Sequence, residues 1–320
     1  MSKNWVSYKN GNYNVHIDLD TGTKVRENDL DFFKADTVES MDIKITNRCD
    51  MGCEFCHEHS TLDGKHADLF SPSFLDTLHP YTELAIGGGN PLEHPDLLKF
   101  LLRCKDNKWI PSMTINQHHF MQNFDFVKQL SDAKLIYGLG VSVSEPNDAL
   151  IGKLTQIPGA VVHVIAGLVP IHKLFKLKDN NLKLLILGYK QVRRGEKLYK
   201  VIGRDIEERI DNLKHALPTI INEGWFNVVS FDNLSLNQLD VKNTLNMTDD
   251  EWSTFYMGDD GIDGSMTSSS LFVDMVERKY AKNSCDLDRY DLKNTVEEMF
   301  MHLRDKEFYE DLNAEQREQM

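Results

Sequence analysis

Residues 44–60 read KITNRCDMGCEFCHEHS, and three of the chain's five cysteines, Cys49, Cys53 and Cys56, fall within eight of these positions. The run "MDIKIT" (41–46) that leads into them is apolar and β-prone, so the thiols sit on a loop leaving a strand. A closed zinc site takes four ligands. Three thiolates are one short, which leaves two readings. Either His57 or His59 completes a small zinc knuckle, or the cysteines hold a four-iron cluster with one iron open to an outside ligand. An odd, clustered set of cysteines is not a disulfide framework in a chain of 320 residues. Thiols kept available as ligands imply a reducing compartment, so a cytoplasmic protein is expected.

Outward from this loop, short apolar runs alternate with helical periodicity. The strand candidates are "MDIKIT", "TELAIGG", "SMTIN", "GLGVSVS", "VVHVIAG", "LKLLILGY" and "FNVVSF". Between them, "SPSFLDTL", "PDLLKFLLRCKDN", "DFVKQLSDA", "NDALIGKLT" and "IGRDIEERIDNLKHALPTIINE" repeat apolar residues every three or four positions. Alternating strand and helix predicts right-handed crossovers and a parallel sheet of at least six βα units, with the chemistry at the C-terminal ends of the strands. The cysteine loop leaves the first strand at that end.

Before Met41, "YNVHIDLDTGTKVR" alternates Val15, Ile17 and Leu19 with His16 and Asp18 and turns at Asp20-Thr21-Gly22, which predicts a β-hairpin. After Phe231, "MTDDEWSTFYMGDDGIDGSMTSSS" is turn-rich, "SLFVDMVERKYAKNS" reads as a strand or hairpin, and "DLKNTVEEMFMHL" as a helix. The expected organisation is a β-hairpin extension over 1–40, an α/β core over 41–231, and an α+β cap over 232–320 with a frayed tail from Lys306. A net charge of −14 argues against a polymeric nucleic acid as partner. No apolar run approaches the roughly 20 residues of a membrane span, and the N-terminus lacks a signal-peptide pattern.

The Cys-x3-Cys-x2-Cys loop after a first strand resembles the radical S-adenosylmethionine (SAM) superfamily, in the manner of its uncharacterised bacterial and phage-type members. The resemblance covers Met41 to Phe231 and implies a partial (β/α)6-type parallel barrel. It further implies a [4Fe-4S] cluster on Cys49, Cys53 and Cys56 whose open iron chelates SAM, one-electron cleavage to methionine and a 5′-deoxyadenosyl radical, and an external electron donor of flavodoxin or ferredoxin type. Phe55 stands where the family shields the cluster with an apolar residue, and His57 echoes the activating enzymes of glycyl-radical proteins. In "AIGGGNPLEHPDL", Gly88, Gly89, Asn90 and Pro91 occupy the positions of the family's Gly-Gly-Glu-Pro stretch, which contacts the SAM amino group; Asn90 brings no charge where Glu is common. The resemblance also puts Asn116, Ser142 and Ser144 near ribose and carboxylate, and Ile165 and Gly167 against adenine. The resemblance makes Leu187, Gly188 and Tyr189 the last wall of the adenine pocket. His163 departs from the family's first glycine in the fifth strand.

Several residues stand outside the motif. Cys104 reads as a core residue on its helix, and Cys285 is isolated, so one cluster is expected. His118 and His119 follow the third strand at the expected mouth of the site and read as an exposed loop pair or as substrate contacts. Basic residues from Lys173 to Lys214, among them Lys190, Arg193 and Arg194, read as a solvated charged face or as a rim suited to an anionic substrate such as a nucleotide or an acidic peptide. Asp232 and Asn233 contact substrate or cap a helix. A peptide or protein substrate would instead pair with the flanking β elements. Deleting the residues before Met41 should then weaken substrate capture and spare SAM cleavage.

Overall fold

The computed structural model describes residues 4–30, 33–71, 73–256 and 269–304. Strands β1 (Trp5–Asn10), β2 (Tyr13–Asp18) and β3 (Lys24–Glu27) form an antiparallel sheet of their own. The predicted hairpin is β2–β3; β1 joins through the two-residue turn Gly11-Asn12, a hairpin signal that the alternation alone does not bring out.

The second sheet is built from β4 (Ser40–Thr46), β5 (Glu83–Gly88), β6 (Ile110–Asn116), β7 (Gly138–Ser142), β8 (Ala160–Ile165), β9 (Lys183–Leu187) and β10 (Val228–Phe231), the seven predicted strands. They are joined by β11 (Ser270–Asp274), β12 (Lys279–Ala281) and β13 (Tyr290–Asp291). The order is β10-β9-β8-β7-β6-β5-β4-β11-β12-β13, with parallel neighbours from β10 to β11 and antiparallel ones beyond. Helices α1 (Leu97–Asp106), α2 (Gln117–Gln122), α3 (Phe124–Asp132), α4 (Asp148–Leu154), α5 (Ile171–Phe175) and α6 (Arg194–Asn222) supply the crossovers of this partial barrel. Helices α7 (Asn233–Gln238), α8 (Val241–Thr244) and α9 (Asp249–Phe255) follow β10.

Alternation along the strands separates two faces. On β4, Met41, Ile43 and Ile45 are buried in the core, and Asp42, Lys44 and Thr46 point to the other, inner face. Cys104 is fully buried on α1, and burial pushes its thiol up to about 12, as a core cysteine requires.

Two placements go beyond the periodicity. Helix α6 begins eight residues before Ile202, the predicted start, and Ile202 is a kink with non-helical backbone (φ −124°, ψ 24°). The late strand β11 pairs with β4 in parallel, matching Phe272 to Asp42 and Asp274 to Lys44, so the C-terminal segment extends the sheet that carries the cysteine loop. The N-terminal sheet packs into the same core: Tyr13, Val15 and Ile17 are at most 2% exposed, and Arg26 on β3 makes a two-pronged contact to the buried Glu39 carboxylate at the foot of β4. The tail from Lys306 and the segment 257–268 lie outside the described residues.

Candidate active site

The cysteine loop is tied at its neck before its thiols are placed. Asn47 N–H donates to Lys65 O, Cys49 N–H to Thr61 O and Thr61 N–H to Asn47 O, so residues 47–65 close as a loop over the C-terminal end of β4. Within it, Cys56 N–H turns back to Cys53 O at 3.2 Å, which packs the last two cysteines into one turn. All three thiols are free and half-buried. Burial raises the Cys49 and Cys53 thiols above their usual range, and neighbouring cysteines add to the rise. Phe55 is half-buried between the last two cysteines, and His59 is exposed.

The glycine turn after β5 is zipped to this loop. Gly89 N–H donates to Thr46 O and Asn90 N–H to Arg48 O, both at 2.7 Å. A Cβ at Gly88 would lie 2.3 Å from Thr46 O, and one at Gly89 2.1 Å from Arg48 O. Glycine is required here because two backbones touch, and Gly88 also has φ +116°. Asn90 is 4% exposed. Its oxygen caps the short turn Pro91–Glu93 by accepting from Leu92 N–H, and its amide donates to Glu93 Oε1. Glu93 in turn accepts from Arg48 Nε at 2.8 Å, joining the glycine turn to the cysteine loop a second time.

The remaining predicted contacts divide. Asn116 and Ser142 are matched across β6 and β7 at the same end of the sheet, and Asn116 Oδ1 already caps α2 through His118 N–H. Ser144 is exposed, beyond β7. Ile165 closes β8 opposite Leu187 on β9, and Gly167 abuts Ile206 of α6. Gly188 N–H donates to Asp232 Oδ1. The Gln238 side chain accepts from Tyr189 N–H and donates to Tyr189 O, so the backbone groups of this segment already have partners on α7 and its cap. Asp232 is the N-cap of α7, the capping role among its two readings. His163 lies over Gly140 on β7, where a Cβ would meet its ring at 2.1 Å; burial lowers its pKa to about 4, keeping the ring neutral.

The structure adds partners that the motif does not contain. His119 is not an exposed loop residue: it lies on α2, is 2% exposed, and its Nε2 is 2.6 Å from Asp50 Oδ1, next to Cys49. Its partner lowers the Asp50 carboxyl below the usual range. Lys44, 3% exposed on the inner face of β4, lies 2.9 Å from both Glu58 in the loop and Asp274 on β11. Burial opposes ionisation of Glu58, and His57 and Lys44 outweigh it, holding the carboxyl well below its usual range. Arg193 Nη1 donates to His57 O at 2.6 Å and Arg194 Nη2 to Ser60 O. Two of the rim arginines therefore face the cysteine loop. Lys190 Nζ donates to Ser284 Oγ, next to Cys285.

The compact donor group among the described residues is Cys49, Asp50 and His119, with ligand atoms within 4.8 Å of one another; the three thiols do not form such a group. Three soft, half-buried donors in one loop fit a multi-iron cluster.

No protein-family model matches the chain. In sequence it is similar to a probable dual-specificity RNA methyltransferase RlmN of Lachnospira eligens, 31% identical in a 124-position alignment that covers 34% of this chain. The match takes in about a third of that protein's length (33%). In structure it is similar to SuiB of Streptococcus suis bound to S-adenosylmethionine (TM-score 0.59, 10% identity, 91% of this chain and 85% of that one). The same holds for SuiB bound to precursor peptide SuiA (TM-score 0.60, 10% identity, 92% and 87%). These likenesses show a shared fold over nine-tenths of the chain. Beside that fold and the local sequence match stands a three-cysteine loop zipped to a glycine turn at the C-terminal ends of the first two strands of the parallel sheet.

Proposed function

We propose that the chain is an enzyme that binds a [4Fe-4S] cluster through Cys49, Cys53 and Cys56 and reductively cleaves SAM to abstract hydrogen from a peptide or protein substrate. The observation that carries it is the cysteine loop itself, with three free, half-buried thiols on a loop hydrogen-bonded to the Gly88–Gly89 turn. When bound, the cluster supplies the electron that splits the sulfonium and makes the 5′-deoxyadenosyl radical. The chain's own residues hold and shield that chemistry. The neck hydrogen bonds fix the loop, Phe55 covers the interval between Cys53 and Cys56, and the inner strand ends from Asn116 to Leu187 form the wall on which the nucleoside would rest. The electron comes from an external flavodoxin- or ferredoxin-type donor, which fits a cytoplasmic setting. Among the described residues no helix is long and apolar enough to cross a membrane.

Two features favour a peptide over a nucleotide-like anion. SuiB, with the same fold, binds a precursor peptide. The basic rim is also largely engaged internally, with Arg193 and Arg194 on loop carbonyls, Lys190 on Ser284, Lys178 on Glu223 and Lys200 on Glu196. Of the flanking β elements, β11 is flanked on both sides, so an extended substrate would pair at β1, β3 or β13. The test is anaerobic iron and sulfide analysis followed by SAM-cleavage assays with a cell extract split by ultrafiltration. Four irons and four sulfides per chain, with cleavage stimulated by the protein-sized fraction, are expected. Stimulation by the small-molecule fraction alone would reverse the substrate assignment, and stoichiometric zinc without sulfide would overturn the whole reading.

A further inference from the structure

Between the end of β9 and the start of α6, the chain makes an approach to the cysteine loop that no family motif accounts for. Arg193, the N-cap of α6, has φ +52°, a left-handed backbone uncommon for a residue other than glycine. This conformation directs two consecutive arginines at one target. Arg193 Nη1 donates to His57 O at 2.6 Å and lies 3.6 Å from Glu58 Oε2; Arg194 Nη2 donates to Ser60 O. The carbonyls they hold belong to the limb of the loop that follows Cys56. Gly195 makes the approach possible, since a Cβ there would lie 2.2 Å from Lys190 O and 3.5 Å from Phe55 O. The arm is braced from behind: Tyr189 Oη donates to Gly195 O at 2.8 Å, Gln238 holds both backbone groups of Tyr189, and Lys190 reaches Ser284. His57, whose carbonyl Arg193 holds, directly follows Cys56.

We infer that Arg193 and Arg194 form a two-point clamp that fixes the outgoing limb of the cysteine loop and places cationic charge beside its thiols, making them positioning residues that set how readily the bound cluster is reduced and how firmly it is held. This rests on the reading of the loop as a cluster site. A cluster with three thiolates gains one negative charge on reduction, and a fixed cation nearby stabilises the reduced form, more so where the surroundings are partly desolvated. Two hydrogen bonds to loop carbonyls also oppose the opening through which iron would be lost. Charge and clamp are separable. Lysine keeps the charge of arginine but loses the planar fork that engages a carbonyl, and glutamine loses both charge and fork.

The experiment compares reconstituted wild type with Arg194→Gln, Arg194→Lys and a control, Arg204→Gln, on an exposed position of the same helix. The readouts are a redox titration followed by electron paramagnetic resonance and the rate of iron loss to a chelator. For Arg194→Gln, the reduced fraction at a fixed solution potential should fall about tenfold, equivalent to about 59 mV for a one-electron couple, and iron should be lost several-fold faster. Arg194→Lys should restore the potential but not the chelator resistance, and Arg204→Gln should match wild type. If wild type loads its cluster and Arg194→Gln is indistinguishable from it in both readouts, the inference is overturned and the cluster assignment stands. If Arg194→Lys shares the low potential of Arg194→Gln, the charge argument is overturned. If wild type binds zinc and no iron, the inference falls together with the functional reading.

Discussion

At the scale of single residues, the inner face of the barrel carries ionisable groups whose burial is offset by specific partners. Lys44 faces two carboxylates, Glu58 and Asp274, and all three are at most 7% exposed. Removing the cation takes from the buried Asp274 its ion-pair partner and from Glu58 one of its cations, so Lys44→Met should destabilise the fold by about 3 kcal/mol, checked by urea unfolding at neutral pH. A loss under 1 kcal/mol would mean that the site hydrates freely. His163 has the opposite problem, a ring buried without a carboxylate to charge it, and its pKa falls from 6.5 to about 4. Between those values the unfolded chain binds a proton that the folded chain refuses. The His163 contribution is therefore intact above about pH 6.5, declines as pH falls, and is lost at pH 4, by at most about 3 kcal/mol. Unfolding curves at pH 7, 5.5 and 4.5 should show a weaker acid decline in His163→Gln than in wild type. The cysteines and glycines were legible in the sequence because they are local and their chemistry is tied to spacing. Lys44–Asp274 and His119–Asp50 were not, because their partners lie 230 and 69 positions apart and only the folded sheet brings them together.

At the scale of elements, α2 is coupled to the cysteine loop through one buried contact. His119→Ala removes the partner of Asp50 beside Cys49 while leaving the thiols in place, so the cluster should still assemble but lose iron several-fold faster to a chelator than in wild type. Unchanged iron retention would show that α2 is a bystander. The N-terminal sheet also has a role that the sequence reading did not foresee. Tyr13, Val15 and Ile17 belong to the main core, and Arg26 and Lys24 meet Glu39 at the start of β4. Deleting the residues before Met41 should thus lower the melting temperature by more than 10 °C, since Tyr13, Val15, Ile17 and Val38 are all removed from the core together. It should reduce SAM cleavage along with substrate capture. A truncated protein that melts like wild type and loses only substrate capture would restore the simpler expectation. Strands and helices of the barrel were readable from periods of two and 3.6. The early start of α6 was hidden because "RRGEKLYK" is polar and its helix is set by contacts to the cysteine loop.

At the scale of the whole molecule, strand β11, encoded some 225 residues after β4, completes the sheet beside the strand that delivers the cysteines, and Asp274 on it reaches Lys44 and through it Glu58. Besides the glycine turn after β5, the loop is therefore held by β11 through Lys44, by α2 through His119, and by the β9–α6 arm through two arginines. Alternation of strand and helix announced the parallel sheet. It was silent on β11, since one short apolar run after a turn-rich stretch carries no information about which edge it joins. The central claim, that this braced loop holds a cluster that cleaves SAM, is tested most directly by anaerobic reconstitution with iron and sulfide, reduction with dithionite in the presence of SAM, and chromatography for 5′-deoxyadenosine, comparing wild type with Cys53→Ala. The account predicts nucleoside from wild type and at least a hundredfold less from the variant, because two thiolates no longer hold the cluster. Equal amounts from both proteins, or none from a wild type shown to carry four irons, would contradict it.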